Sequence, residues 1–452
     1  MRFNSRYRMV LCGVLAIMLI GCGNAGNIGA ESHIQGNIEA TDVLYIEDAV
    51  SDEESGLAAV SEVEEENEAI DLNTVEGNDA FIIDDIGYRP VSRKYVYIYG
   101  ENLDKKYEII NIENGRTVFA NELKIVAGKE TDGTKLYVGD FTDYVSKGTF
   151  RIHHEELGYS KAFRIYPDRI RDEYKEIYNQ IKACEVENKA DLLYVLSNLL
   201  LIKDVYPDAY ADSDYINAKI DELIGLQDEL AEEAEPGDEE ITMAAQYAGV
   251  LAQYSVIYEE ENAELAQKAR MAAQRTFTYA ERNRDKVAGD IYYFSSAQLY
   301  RATGQYMYRS AIEWFDSLGS EKTDYSRYGY VFLADVAYLK TNKRTDYERC
   351  QSLMKNYLLQ AGKISQDIDK STFYVEKNIS RLSELQILGN MQKLALVSYV
   401  VSGHEYTTIL ENYVHYMNGV NDKSDVDTDA KMQENAVILS KKLFSLAHLY
   451  NM

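Results

Sequence analysis

The sequence predicts a multidomain β + α chain: a small β-sandwich, then an array of α-helices. Three observations carry this. From Phe81 to Tyr166, short runs alternate with period two between turn signals. After Pro167 only Pro207 and Pro236 remain, and apolar residues recur at helical period to the C-terminus. Ahead of both, no Lys or Arg occurs between Gly23 and Tyr88, while 18 Asp and Glu do.

In chain order, the first element is a targeting segment. Arg2, Arg6 and Arg8 precede an apolar run, Met9 to Ile20, too short to span a membrane comfortably. It closes on Leu19-Ile20-Gly21-Cys22, which resembles a bacterial lipobox. The resemblance implies that residues 1–21 are a lipoprotein signal peptide. Cys22 would then be lipidated, anchoring the chain to a bacterial membrane in the cell envelope, outside the cytoplasm. The alternative is an ordinary secretory signal; either way the protein is exported. Residues 22–79 read as a disordered acidic tether, because low hydrophobicity and charge of one sign cannot offset the entropy of ordering.

Residues 80–167 form the expected sandwich. Lys94 to Tyr99 alternates strictly, and Tyr107–Ile112, Thr117–Lys124, Lys135–Phe141, Gly148–His154 and Lys161–Tyr166 continue the series. Residues 168–452 form the helical part, about a dozen helices at ordinary length. Met243, Tyr247, Leu251, Tyr254 and Tyr258 share one helix face, as do Leu265, Ala269, Ala272, Thr276 and Ala280. A weak repeat joins Tyr300 to Gly304, Tyr399 to Gly403 and Tyr338 to Asn342. Its Gly or Asn is expected to end each helix in the left-handed conformation. Such units stack into a solenoid or close into a toroid.

Ile86-Gly87-Tyr88-Arg89-Pro90, Gly115 to Phe119, Tyr137 to Phe141, Gly148 to Ile152 and Ala162 to Ile165 together resemble the immunoglobulin-like module that precedes cellulase-type glycoside hydrolase family 9 domains. Leu199 to Tyr210, Ala244 to Gln253, Ala297 to Gly304 and Tyr413 to Asn421 are similar to helices of that family's (α/α)6 barrel. The resemblance implies an immunoglobulin-like sandwich packed on a six-hairpin helical toroid. It also implies an inverting O-glycosyl hydrolase acting on β-glucan-type polysaccharide.

Inversion needs one carboxylate as base for water and another as acid for the leaving oxygen. Gln433 to Leu443 lines up with the family's late motif and puts Glu434 on the acid position, although Gln433, Leu439 and Ser440-Lys441-Lys442 depart from it. The family's "DAGD" base motif is absent. Cys184 to Asp191 stands where it would lie, with Glu185, Glu187 and Asp191 as possible substitutes. Asp422 to Gln433 leaves no room for the family's His-rich loop. Helix packing tolerates many sequences whereas catalysis does not, so the catalytic motifs look degenerate on a retained scaffold.

Asp425-Val426-Asp427-Thr428-Asp429 has a calcium-like alternation, but Ala430 and Ala436 stand where Gly and Glu are wanted, so no cofactor is expected. His153-His154 on a strand points to opposite faces and cannot easily chelate one metal. Tyr292-Tyr293-Phe294 and Tyr325 to Tyr330 suit either sugar stacking or barrel wall. Cys184 and Cys350 are expected as separate thiols. The net charge of −28 argues against nucleic acid. Three functions remain: a family 9-like lipoprotein that contacts β-glucan-type polysaccharide with hydrolysis weak or lost, an active inverting glycosidase using Glu434 as acid, and a non-catalytic envelope interaction protein.

Overall fold

The computed structural model describes residues 71–131, 133–209, 212–230, 237–318, 329–401, 404–421, 436–450 and 452. Among the described residues nine strands build two packed antiparallel sheets. One has the order β1 (Phe81–Ile82), β2 (Tyr95–Gly100), β6 (Thr134–Asp140), β5 (Lys124–Thr131). The other has β4 (Thr117–Glu122), β3 (Lys106–Asn111), β7 (Gly148–His154) and β8 (Gly158–Tyr159), with β9 (Phe163–Ile165) also on β7. Alternation on β2 does double duty. Val96 and Ile98 point into the sandwich core, while Tyr97 joins the core of the helical domain. The first sheet is therefore covered on both faces.

Residues 71–79, which the expected tether includes, are among the described residues. Leu72 is buried, and Asn78 donates from its backbone to Tyr159 O (2.8 Å) and from its side chain to Leu157 O (2.9 Å). These bonds seat residues that composition alone assigns to the tether. The Gly87-Tyr88 pair has a local reason. Gly87 has φ +111°, and a Cβ there would stand 2.3 Å from Arg164 O. Tyr88 lies edge-on to Phe141 and Phe163 and donates its hydroxyl to Tyr95 O (3.0 Å).

Twelve helices follow among the described residues: α1 (Arg169–Ala183), α2 (Lys189–Val205), α3 (Ser213–Leu230), α4 (Asp238–Ile257), α5 (Ala263–Arg282), α6 (Gly289–Thr303), α7 (Tyr306–Leu318), α8 (Val331–Lys340), α9 (Tyr347–Ser365), α10 (Glu384–Val401), α11 (His404–Met417) and α12 (Ala436–Tyr450). They alternate in character. On α1, α5 and α9 one face is apolar and the other wet, whereas α2, α4, α6, α8 and α12 are buried nearly all round. The even-numbered helices are the inner ring: α2 packs on α4, α4 on α6, α6 on α8, and α10 on α12, which returns to α2. A toroid of helical hairpins is thus the observed architecture. Interior amides tie the ring across, since Gln392 Nε2 donates to Asn198 Oδ1 (3.0 Å) and Gln253 Nε2 to Ser197 O (3.1 Å).

The repeat holds in part. Gly304 caps α6 in the left-handed conformation with φ +71°. Asn342 does not, because α8 ends instead on an extended Thr341. Gly403 lies outside the described residues.

The two domains share a buried polar junction. Asp84, fully buried just before Gly87, accepts from Arg169 of α1 (2.8 Å) and pairs with His415 Nδ1 of α11 (2.6 Å). Arg169 also donates to Gly87 O (3.0 Å) and lies 2.7 Å from Glu173, which in turn meets Lys442 of α12 at 2.8 Å. Burial alone would raise the Asp84 and Glu173 carboxyls, but Arg169 overrides it and holds both below their usual range. Beside them Arg89 grips Glu411 through two 2.9 Å bonds, and that carboxyl sits at about 2 against the pull of burial.

Candidate functional site

The inner helices run parallel, so their ends make two unlike rims. At one, the C-terminal turns of α2, α6 and α8 meet through Asp204, which accepts from Arg301 (2.6 and 2.9 Å) and Lys340 (3.1 Å). Cations there complement the carbonyl ends of α6 and α8. Buried charge ties these three helix ends together.

The other rim gathers the N-terminal turns and is the candidate site. Asp290, in the first turn of α6, is fully buried; its Oδ1 accepts from Ile291 N (3.0 Å) and its Oδ2 from Tyr330 N (3.0 Å). It therefore fastens the start of α8 to the start of α6, each of its oxygens accepting from a backbone amide. Tyr330 is fully buried at this rim, the mouth of the ring. Its ring stands edge-on to Tyr194 of α2 (5.0 Å) and against Phe294 of α6 (4.9 Å), and its hydroxyl accepts from Gln246 Nε2 of α4 (3.2 Å). Burial, with Tyr194, Asp290 and Asp191 nearby, drives the Tyr330 phenol far above its ordinary value, so it stays protonated. Lys441 of α12 lies over the Tyr194 ring (5.8 Å), its ammonium lowered to about 8 by burial and by neighbouring Lys393.

Of the three substitute carboxylates, Glu185 and Glu187 are exposed on the α1–α2 connection. Asp191 is half-buried in the first turn of α2, and its charge is among those that raise the Tyr330 phenol. Asn188 caps that helix, accepting from Ala190 N and Asp191 N, which fixes Asp191 on it. Cys22, Glu434 and the Asp425–Asp429 run lie outside the described residues, as does Tyr325. Among the described residues no group of three His, Cys, Asp or Glu is arranged to hold a metal. His154 is buried with Nε2 at 2.8 Å from Asp104 O, while His153 lies against Tyr159 on the other face. Cys184 and Cys350 are both free thiols. Tyr292, Tyr293 and Phe294 are all buried, as wall rather than sugar platform.

Asp290, Gln246 and Lys441 escaped sequence reasoning, whereas Tyr330 belongs to the Tyr325 to Tyr330 cluster that suited either sugar stacking or barrel wall. A signal existed for two of the three. Gln246 interrupts an apolar helix without falling on a wet face, and Lys441 stands beside Lys442 in a helix, α12, that is buried nearly all round.

Residues 213–426 match the family model described as glycosyl hydrolase family 9, and residues 77–158 match the cellulase N-terminal ig-like domain. A metagenome-derived glycoside hydrolase family 9 endoglucanase superposes with TM-score 0.65 at 13% identity, over 82% of this chain and 99% of that one. A thermostable endoglucanase from Alicyclobacillus acidocaldarius gives 0.64 at 14% identity, over 82% and 100%. AaCel9A, solved in complex with a cellobiose-like isofagomine, gives 0.64 at 14% over the same shares. A search of curated protein sequences finds no match.

Proposed function

We propose, from the premise that this chain belongs to glycosyl hydrolase family 9 and carries the family's immunoglobulin-like module, that it is an exported, lipid-tethered protein contacting β-glucan-type polysaccharide, with hydrolysis weak or lost. The observation that carries this reading is the packing at the mouth. Tyr330, Tyr194 and Phe294 pack on one another between α2, α6 and the start of α8, and both Asp290 oxygens accept from backbone amides. An inverting enzyme needs a carboxylate free to activate water, held across from an acid with a water between. Cys22, lipidated, and the acidic stretch after it would hold the domains away from the membrane surface.

A second reading rests on one feature, the half-buried Asp191 at the mouth. It would serve as base with Glu434 as acid. Reducing-sugar release from barley β-glucan and retardation in β-glucan affinity gels separate the two. Retardation with sugar release at the level of a Glu434→Gln control supports the binding reading. Robust release that Asp191→Asn and Glu434→Gln each lower by about 10²-fold or more overturns it in favour of the enzyme. No retardation and no release leave the scaffold as an interaction protein of the envelope.

A further inference from the structure

We propose that the seam between the two domains carries a second ligand site, a groove for an acidic saccharide, remote from the mouth. Where β9 passes into α1, the side chains of Arg164, Tyr166, Arg171, Lys175 and Tyr450 line a cavity of about 550 Å³ together with Asp168 and Asp172. That volume lies within the range of small-ligand sites. Tyr450 ends α12 and Arg171 opens α1, which places the groove on the Asp204 side of the ring, at the opposite end from Tyr330.

Its chemistry singles it out. The whole chain carries a net charge of −28, yet here three cations face two carboxylates. The guanidinium of Arg164 lies 4.2 Å from the centre of the Tyr166 ring, and that of Arg171 lies 5.4 Å from the centre of the Tyr450 ring. A cation–π contact holds a guanidinium in place without neutralising it, so its N–H groups stay available to an oxyanion. The Arg171–Asp168 pair is long, 3.5 Å between exposed groups, and contributes little. Lys175 forms no salt bridge among the described residues. Asp168 makes no side-chain cap at the start of α1, so it does not satisfy that helix's first donors, which point at the same corner. Tyrosine rings beside carboxylates suit a sugar's apolar face and its hydroxyls. The excess cations call for a carboxylate on that sugar. A neutral β-glucan satisfies the rings and leaves the charge unmet. The groove therefore fits a uronic-acid-type saccharide, whether or not the mouth binds or cleaves glucan.

Calorimetric titration of the full-length chain tests this with four probes: trigalacturonate, cellotriose, inorganic phosphate, and vesicles of anionic phospholipid. The expected result is trigalacturonate binding that weakens with salt. It should fall by roughly tenfold in Arg171→Gln/Lys175→Gln, since each exposed cation strengthens binding by up to about fivefold. Asp172→Asn, which removes the opposing charge, should tighten it by about threefold. Trigalacturonate binding that ignores both variants overturns the proposal, as does equal binding of cellotriose. Phosphate binding as tightly as trigalacturonate reduces the groove to a general anion site and overturns it too. So does binding confined to the vesicles, which makes the groove a membrane contact.

Discussion

At the scale of single residues, His448 shows how burial outweighs a helix terminus. It lies in the last turn of α12, where the carbonyl ends of the helix favour a cation. Its ring is nevertheless buried against Tyr206 (5.6 Å), with Nε2 at 3.4 Å from Thr407 Oγ1, and burial lowers the imidazole to about 4. In the unfolded chain the same group takes its proton at about 6.5. Below that pH the unfolded state binds a proton that the native state refuses until about 4. This contribution is complete above pH 6.5 and is lost as pH falls, by up to roughly 3 kcal/mol. Urea unfolding at pH 7.5 and pH 4.5 should show it, and His448→Phe should lose about 2 kcal/mol less between those two pH values than the unaltered protein. An equal loss in both would place the acid sensitivity elsewhere.

At the scale of elements, α4 and α6 approach through Gly249. A Cβ there would meet the Phe294 ring at 2.3 and 2.5 Å, and Phe294 is itself one wall of Tyr330's pocket. Gly249→Ala gains about 1 kcal/mol of helix propensity. Overpacking a buried ring costs about 1–3 kcal/mol, and an overlap this deep puts the cost at the upper end. The variant should melt lower, and Phe294→Leu should restore part of the loss in the double variant, because only the ring makes the clash. The same scale explains what could be read in advance. Strict alternation made β2 and β7 legible, and the wet and dry faces of α5 made it so too. β5 was not separable from β4, because Leu123 carries the chain from one sheet to the other with a single residue between strands and Ile125 is exposed. The mouth was illegible for a different reason. Tyr194, Gln246, Asp290 and Tyr330 come from four segments whose meeting depends on ring closure, and no local period encodes that.

At the scale of the whole molecule, the sandwich and the helical ring behave as one body rather than beads on a string. Sheet β1-β2-β6-β5 buries Tyr97 on Phe373 (4.8 Å) and stacks Tyr95 on Tyr374 (4.4 Å), across the domain boundary. Beneath that contact, Asp84, Arg169, Glu173 and Lys442 alternate in sign from the sandwich to α12. Such a chain of buried charge contributes little net stability compared with apolar packing, but breaking one link strands the others. Arg169 is the critical link, since it alone touches Asp84, Gly87 O and Glu173. Arg169→Met leaves two buried carboxylates short of their cation and should cost about 3–5 kcal/mol. Arg169→Lys keeps the charge without the fork and should fall between. In scanning calorimetry the unaltered protein should unfold in a single transition, and Arg169→Met should lower that transition as a whole. A sandwich transition that moves alone, with the helical one left in place, would show that the junction is a contact between independent domains.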